Sequence, residues 1–336
     1  MKAAIFEGNR EIRVEERPDP RVSAPDECLV RVMTCGICGS DVHPWAAPQA
    51  TDAVMGHEAV GEVVAVGDGV TRVAPGDRVA VYAVLGCGEC ANCLRGRITW
   101  CEDLRGSVNG GFGELLVAPE RNLLPLPGWI DWTRAALLTD VLGTPMKAIR
   151  TAGLGEGDTV VVLGCGPIGL GAVQVAVARG ARVMGVDLLD YRLQMARRVG
   201  AEVVCNAGEE SAADAAKRWT GVGADCALDC TGAEGQALVA LECVRPGGTA
   251  MCVGLNMRMD FNPWTHIISH DRKLGGSWYL HYEDFDELVG LCRAGLIDPL
   301  PLVTHTVPLE QIGRGFELFA ENADGAVKVV VLLGLR

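Results

Sequence analysis

Four cysteines in the segment LGCGECANCLRGRITWC, Cys87, Cys90, Cys93 and Cys101, follow the spacing C-x2-C-x2-C-x7-C. Zn²⁺ takes four tetrahedral ligands, with sulfur donors about 2.3 Å away, and Gly86, Gly88 and Gly96 let so short a loop wrap one ion. Four protein donors leave no open position, so the expected role is structural. Four cysteines also suit an iron–sulfur cluster; the tight loop spacing favours zinc. A second set of donor-type residues is dispersed: Cys38 in CGICGSDVH, His57 with Glu58 in MGHE, and Asp140 in LLTDVLGT. Spacing alone does not join these four.

A third constellation belongs to nucleotide binding. Val160–Leu163 is an apolar, β-branched run, and Gly164, Gly166 and Gly169 follow it as G-x-G-x-x-G before a stretch free of helix breakers apart from Gly171. Gly164 permits the turn, Gly166 lets backbone N–H groups approach a pyrophosphate, and Gly169 lets helix and strand pack closely. Pro167 and Ile168 open the helix. Asp187 ends the next strand about 20 residues on, where a carboxylate accepts hydrogen bonds from an adenosine ribose and repels a 2′-phosphate. The expected cofactor is therefore NAD in preference to NADP.

The elements that must carry these residues follow from periodicity. Residues 1 to about 120 alternate short β-rich runs (Ala3–Phe6, Cys28–Met33, Ala59–Val66, Arg78–Ala83, Glu114–Val117) with Gly and Pro punctuation, which predicts a mostly antiparallel β domain. Residues 130 to 152 read as helical, ending near Gly153. From Val160 strand and helix alternate: strands at Val183–Val186, Val203–Val204, Cys226–Asp229 and Thr249–Val253, helices at Arg192–Val199, Ala212–Thr220 and Gln236–Cys243. That pattern predicts a doubly wound parallel sheet. Beyond Gly276 the alternation stops. The helices Phe285–Gly295 and Leu309–Glu321 and the strand Val327–Leu333 are expected to rejoin the first domain, giving two domains that meet across a cleft.

Bulk properties narrow the function class. A chain of 336 residues with 49% hydrophobic composition has material for about two folded domains. A net charge of −13 without a basic patch argues against nucleic acid and anionic membranes as partners. The charged start MKAAIFEGNREIRVEE is no secretion signal, and no apolar run is long enough to span a bilayer. The expected location is cytoplasmic, so the 14 cysteines read as thiols or metal ligands and not as disulfides. Cys165, Cys226, Cys230, Cys243 and Cys252 sit singly in apolar segments and read as small core residues.

Taken together, G-x-C-G-S-D, G-H-E, the four-cysteine loop, GGFGEL at Gly110–Leu115 and VLGCGPIG resemble the zinc-containing medium-chain alcohol dehydrogenase family, nearest in look to its sorbitol, polyol and threonine dehydrogenase branch. The resemblance runs nearly the whole length. It implies an α/β chain with a GroES-like catalytic domain over residues 1–147, to which 283–336 returns, and a Rossmann NAD-binding domain over 148–282. It implies two zinc ions per chain. Cys38 and His57 would ligate the catalytic one with Asp140, which stands where relatives carry Cys or Glu; Glu58 matches a family Glu beside the zinc, and the two acids compete for one place. An open zinc position would then lower the pKa of an alcohol, from which hydride leaves to nicotinamide. Ser40 and His43 resemble the family's proton relay, and Asp41 ties their loop through hydrogen bonds.

On the cofactor side the resemblance places Cys230, Thr231, Val253, Gly254 and Leu255 against the dinucleotide; Arg192 is a candidate for the adenosine ribose, and Thr144 for the nicotinamide side. Cys35, which makes a C-x-x-C with Cys38, is a departure from many relatives and reads as an inert thiol. Trp45, Trp278, Leu280 and His281 are pocket candidates. The implied substrate is a polyol, cyclitol or other secondary alcohol, with a simple alcohol or aldehyde as the alternative and a quinone-reductase-like or non-catalytic member more remote. A homodimer or homotetramer is implied, joined edge to edge near Thr249–Leu255.

Overall fold

Alternating apolar residues in the first half pair chiefly into one large sheet. In the computed structural model, which describes residues 1–255 and 258–334, the chain divides into two compact units, Met1–Thr139 with Val303–Arg336, and Asp140–Leu302. In the first unit a seven-stranded sheet runs Val303–Pro308, Lys328–Leu332, Glu27–Gly36, Glu58–Val66, Arg78–Val81, Leu123–Pro125, with Leu115–Pro119 also paired to Glu27–Gly36. Only the Val303–Pro308 pair with Lys328–Leu332 is parallel. Val30, Val32, Val63 and Val79 alternate inward onto a core closed by Phe6, Phe112 and Phe316. Phe6 and Phe112 meet Phe316 edge-on at 5.3 and 5.7 Å between ring centroids, the favoured arrangement for aromatic quadrupoles.

Sheet register does the positioning. Gly36 pairs with Glu58 on one side and with Val330 on the other. Because both neighbours run antiparallel, Cys38 just past Gly36, His57 just before Glu58, and Lys328 just before Val330 arrive at the same sheet end. The short helix Gly39–Ala46 follows Cys38 and is pinned by Trp45, which is 1% exposed and lies 5.4 Å from the Phe316 ring. That helix is hidden in the sequence by Gly39 and Pro44. The strand Glu11–Glu16, EIRVEE, is likewise hidden, since it pairs only with Lys2–Gly8 and has few buried residues to give a pattern.

In the second unit six parallel strands are ordered Val203–Asn206, Arg182–Asp187, Thr159–Leu163, Ala224–Asp229, Val244–Cys252, Lys273–Gly276. The chain starts in the middle and winds outward in both directions, as the alternation of elements predicts. Val244–Cys252 is paired on both sides, so the sheet edge expected near Thr249–Leu255 lies instead at Lys273–Gly276.

The sequence puts the domain limits at 147/148 and 282/283; the contacts put them at 139/140 and 302/303. The physical reason is one packed helix pair. Gly143–Ala152 and Tyr282–Arg293 are joined by Arg150, which reaches Glu283, Asp284 and Glu287 at 2.9, 2.5 and 3.5 Å. The helix expected to rejoin the first domain thus stays with the second, and the return begins at Val303. Among the described residues no helix is long and apolar enough to cross a membrane.

Candidate metal and cofactor sites

The four-cysteine loop folds as a cage. Cys87 Sγ lies 3.9 Å from Cys93 Sγ, and Cys90 Sγ lies 3.9 Å from Cys101 Sγ. A tetrahedron with sulfur about 2.3 Å from its centre has edges of about 3.8 Å, so the spacing suits Zn²⁺; a disulfide would need about 2.05 Å. Backbone N–H groups of Cys87, Cys90 and Cys93 donate to Cys101, Cys87 and Cys90 sulfurs at 3.3, 3.3 and 3.5 Å, stabilising charge on those sulfurs. The N–H groups of Glu89 and Cys90 hold the Cys87 thiol down near 6, whereas burial pushes Cys93 up to about 12. A metal-free cage therefore sets a thiolate beside a thiol that resists ionising.

The dispersed residues also come together. Cys38, His57, Glu58 and Asp140 offer ligand atoms that all lie within 4.8 Å of one another. One sulfur, one imidazole and carboxylate oxygens form a donor set suited to Zn²⁺. Asp41 is 2% exposed and uses both oxygens: Oδ1 is 3.2 Å from His57 Nδ1, and Oδ2 accepts from Cys38 N–H at 3.0 Å. With Nδ1 turned to Asp41, the imidazole presents Nε2 to a metal, in the usual pairing of carboxylate and metal-binding histidine. The expectation that Asp41 ties the loop therefore holds, and the residue does more by orienting His57.

Both candidate carboxylates are held. Thr144 Oγ1 donates to Asp140 Oδ1 at 2.6 Å, so Thr144 supports an acid. Glu58 is paired with Lys328, whose Nζ is 2.6 Å from it and also donates to Ile37 O at 2.8 Å. Gly36 is required here, since a Cβ on it would lie 2.1 Å from Glu58 Oε2. Lys328 was not foreseen from the sequence; a lone Lys in the run AVKVVVLL, where a charge has no solvent, is the signal that marks it.

Ser40 is half-buried and His43 exposed, three residues apart on the helix Gly39–Ala46. Cys35 is fully buried, its thiol pushed well up by desolvation, and no disulfide forms among the described residues. Of the pocket candidates, Trp45, Leu280 and His281 are interior at 1%, 0% and 5% exposure, while Trp278 is 50% exposed. The first three are packing residues.

The glycine turn of the second unit is drawn tight. A Cβ on Gly169 would lie 1.7 Å from Gly164 O, so the helix Pro167–Ala178 packs against its own turn only with glycine there. Asp187 Oδ2 accepts from Cys165 N–H at 2.7 Å, and Oδ1 from Leu188 and Leu189 N–H at 2.8 and 3.0 Å. Arg192 Nη1 stands 3.8 Å from the same carboxylate. The carboxylate anticipated as a ribose acceptor is thus also the clasp of the turn that carries Gly166. At the same carboxyl edge Asp229 Oδ1 accepts from Thr231 N–H and hydroxyl at 2.9 and 2.6 Å, and Asp229 O accepts from Val253 and Gly254 N–H. Cys230 N–H donates to Leu163 O, and Leu255 is 61% exposed. The cofactor candidates therefore converge on the strand ends where open parallel sheets bind ligands.

Comparison with known proteins gives the family. Residues 24–128 match the alcohol dehydrogenase GroES-like domain family, and residues 167–294 match the zinc-binding dehydrogenase family. A sorbitol dehydrogenase of Bacillus subtilis is 32% identical, covering 98% of this chain and 97% of its own. The solved alcohol dehydrogenase TADH from Thermus sp. ATN1 is 34% identical with a TM-score of 0.89, covering 99% and 100%. A solved alcohol dehydrogenase, rspB of Escherichia coli, complexed with NADH, is 28% identical with a TM-score of 0.90, covering 99% of each chain. Family match, fold and clustered donors lead to one conclusion: the chain belongs to the zinc-containing medium-chain alcohol dehydrogenase family, with a GroES-like unit and a Rossmann unit.

Proposed function

We propose that this chain oxidises a secondary alcohol of the polyol or cyclitol class with NAD, and reduces the matching ketone. The observation that carries the reading is the convergence of Cys38, His57, Glu58 and Asp140 in a chain of this family. Two zinc ions per chain are assigned: one to Cys87, Cys90, Cys93 and Cys101, one to Cys38, His57 and an acid. Asp140 is the acid at rest, supported by its Thr144 hydrogen bond, while Lys328 holds Glu58 back.

Zinc bound there supplies Lewis acidity toward an alcohol hydroxyl. The protein's own residues do the rest. Asp41 orients His57, and Thr144 orients Asp140. Ser40 and His43, half-buried and exposed on one helix, carry the hydroxyl proton outward. Gly164, Gly166, Pro167, Ile168 and Gly169 seat the pyrophosphate; Cys230, Thr231, Val253, Gly254 and Leu255 line the dinucleotide. Asp187 with Arg192 takes the adenosine ribose and disfavours a 2′-phosphate, which is the basis for NAD. The protein acts in the cytoplasm, as a homodimer or homotetramer whose joining edge is the strand Lys273–Gly276.

The test is turnover of linear polyols, cyclitols, threonine and short alcohols, followed by reduced-nicotinamide absorbance. Preference for a polyol or cyclitol is expected; activity on ethanol alone overturns the substrate class. Cys38→Ala should abolish turnover and leave NAD binding measurable, and full activity in that variant overturns the site.

A further inference from the structure

Asp140 lies inside a π-helical stretch, Leu138–Leu142, that leads into the helix Gly143–Ala152. Its sequence, LTDVL, carries no helix breaker, so the cause of the irregularity lies beyond it. That cause is Pro145. In an ordinary α-helix the Val141 carbonyl would accept from residue 145, which as proline has no N–H and crowds that oxygen with its ring. The wider π turn carries the carbonyl aside, and such turns recur at functional sites. Asp140 directly precedes Val141, so its direction is set by the same turn.

The displaced carbonyl meets a second helix at a glycine. A Cβ on Gly171 would lie 2.0 Å from Val141 O, a backbone atom with no rotamer by which to give way. A Cα–H of Gly171 faces that oxygen instead, and both residues are buried. Gly171 belongs to the helix Pro167–Ala178, whose cap, Gly166, stands about 7.5 Å earlier along the axis. Asp187 ties the turn before that cap through Cys165 N–H. Farther along, the helix Gly143–Ala152 is anchored by Lys147, whose Nζ donates to Trp278 O at 2.9 Å, and by Arg150 at Asp284. Thr144 Oγ1 donates to Asp140 at 2.6 Å. Asp140, Val141, Thr144 and Gly171 all lie in the second unit, so the π turn bears directly on the helix that the glycine turn opens.

We propose that Gly171 is a positioning residue that seats the Val141 carbonyl, and with it the π turn aiming Asp140, on the helix whose N-terminus receives the pyrophosphate, so that dinucleotide binding and metal retention strengthen each other. This rests on the functional reading above and adds a physical link between its cofactor and its metal ligand. A pyrophosphate at the helix N-terminus orders the first turns, and ordered turns keep the seat under Val141 firm. Linkage makes the effect reciprocal: what the dinucleotide does for the metal, the metal does for the dinucleotide. Gly171 acts through Val141 and carries no side chain to do chemistry.

The experiment follows zinc release to a coloured chelator with and without ADP-ribose, a probe that offers the pyrophosphate and carries no nicotinamide to cover the metal. The release phase missing from Cys38→Ala identifies the ion held by Cys38, His57 and Asp140. In wild type, saturating ADP-ribose is expected to slow that phase about ten-fold. Gly171→Ala drives a Cβ into Val141 O, and Pro145→Ala restores the N–H that lets the turn relax to α. Both should release that ion faster, and ADP-ribose should slow them by less than about two-fold. Met146→Ala, a buried change on the same helix, should lower the melting temperature and keep the full ADP-ribose effect. Unchanged release in wild type with ADP-ribose bound, a full effect in Pro145→Ala or Gly171→Ala, or its loss in Met146→Ala overturns the proposal and leaves the alcohol dehydrogenase reading standing. A wild type that binds no ADP-ribose, or holds no zinc that depends on Cys38, overturns that reading, and this proposal with it.

Discussion

Lys328 Nζ lies 2.6 Å from the carboxylate of Glu58, with the two side chains 1% and 0% exposed. A buried charge left without its partner costs about 3–5 kcal/mol. Lys328→Met should therefore lower the free energy of unfolding by about that amount, read from urea midpoints. Adding Glu58→Gln to it should recover most of the loss, because the stranded charge goes with the second change. If Lys328→Met unfolds at the wild-type urea concentration, the pair is not buried as described.

Metal analysis of the native protein should return two zinc ions per chain. Cys93→Ala should lose one of them and unfold at lower temperature, since a structural cage contributes folding energy directly. Its kcat per remaining catalytic ion should stay near wild type. One zinc in the native protein, or two in Cys93→Ala, would contradict the assignment of the four-cysteine loop.

Asp187 serves the turn as well as the cofactor, and the two roles can be separated. Asp187→Ser with Leu188→Arg should raise kcat/KM for NADP relative to NAD by ten-fold or more, on the order of a new arginine–phosphate contact. Leu188 is 65% exposed, so the arginine has room. Because three backbone N–H groups lose their acceptor, the melting temperature should fall in the same variant. No shift in cofactor preference would mean that the ribose lies elsewhere.

Lys147 makes stability depend on alkaline pH. Burial holds its amine at about 8, below the ordinary 10.5, so between those values the unfolded chain binds a proton that the folded chain does not. Stability then rises with pH through that window, by up to about 1.4 kcal/mol per pH unit from this group. Below pH 8 both states are charged and the burial cost is fully present. Lys147→Met should remove the slope, so the gap between variant and wild type in thermal scans at pH 7.5 and 10 should change in favour of wild type. An unchanged gap refutes the buried amine.

Much of this architecture was readable from residue patterns, for physical reasons that also show where reading fails. Helices Ala212–Thr220 and Gln236–Cys243 have the bounds their apolar spacing predicts, because parallel-sheet units alternate strictly. The helix Gly39–Ala46 was not readable, since what stabilises it is the distant Phe316 beneath Trp45 and not local propensity. Cysteine and histidine donors declare themselves by type. Lys328 and the Lys147 contact with Trp278 do not, because partners 270 and 131 residues apart are joined only by topology. The grouping of the helix Tyr282–Arg293 with the second unit is hidden for the same reason: its anchor, Arg150, is remote in sequence.

The register of the first unit also sets a timetable for biosynthesis. Glu58 leaves the ribosome 270 residues before Lys328, and the strand Lys328–Leu332 fills the place between Glu27–Gly36 and Val303–Pro308. Until that strand arrives, Thr34–Gly36 at the end of Glu27–Gly36 lacks its antiparallel partner on that side, and the Glu58 carboxylate lacks the lysine that balances it. The last strand made is thus the one that completes the sheet beside Cys38, and premature termination shortly before Lys328 would release a chain that holds all its candidate metal ligands and lacks the cation that balances Glu58.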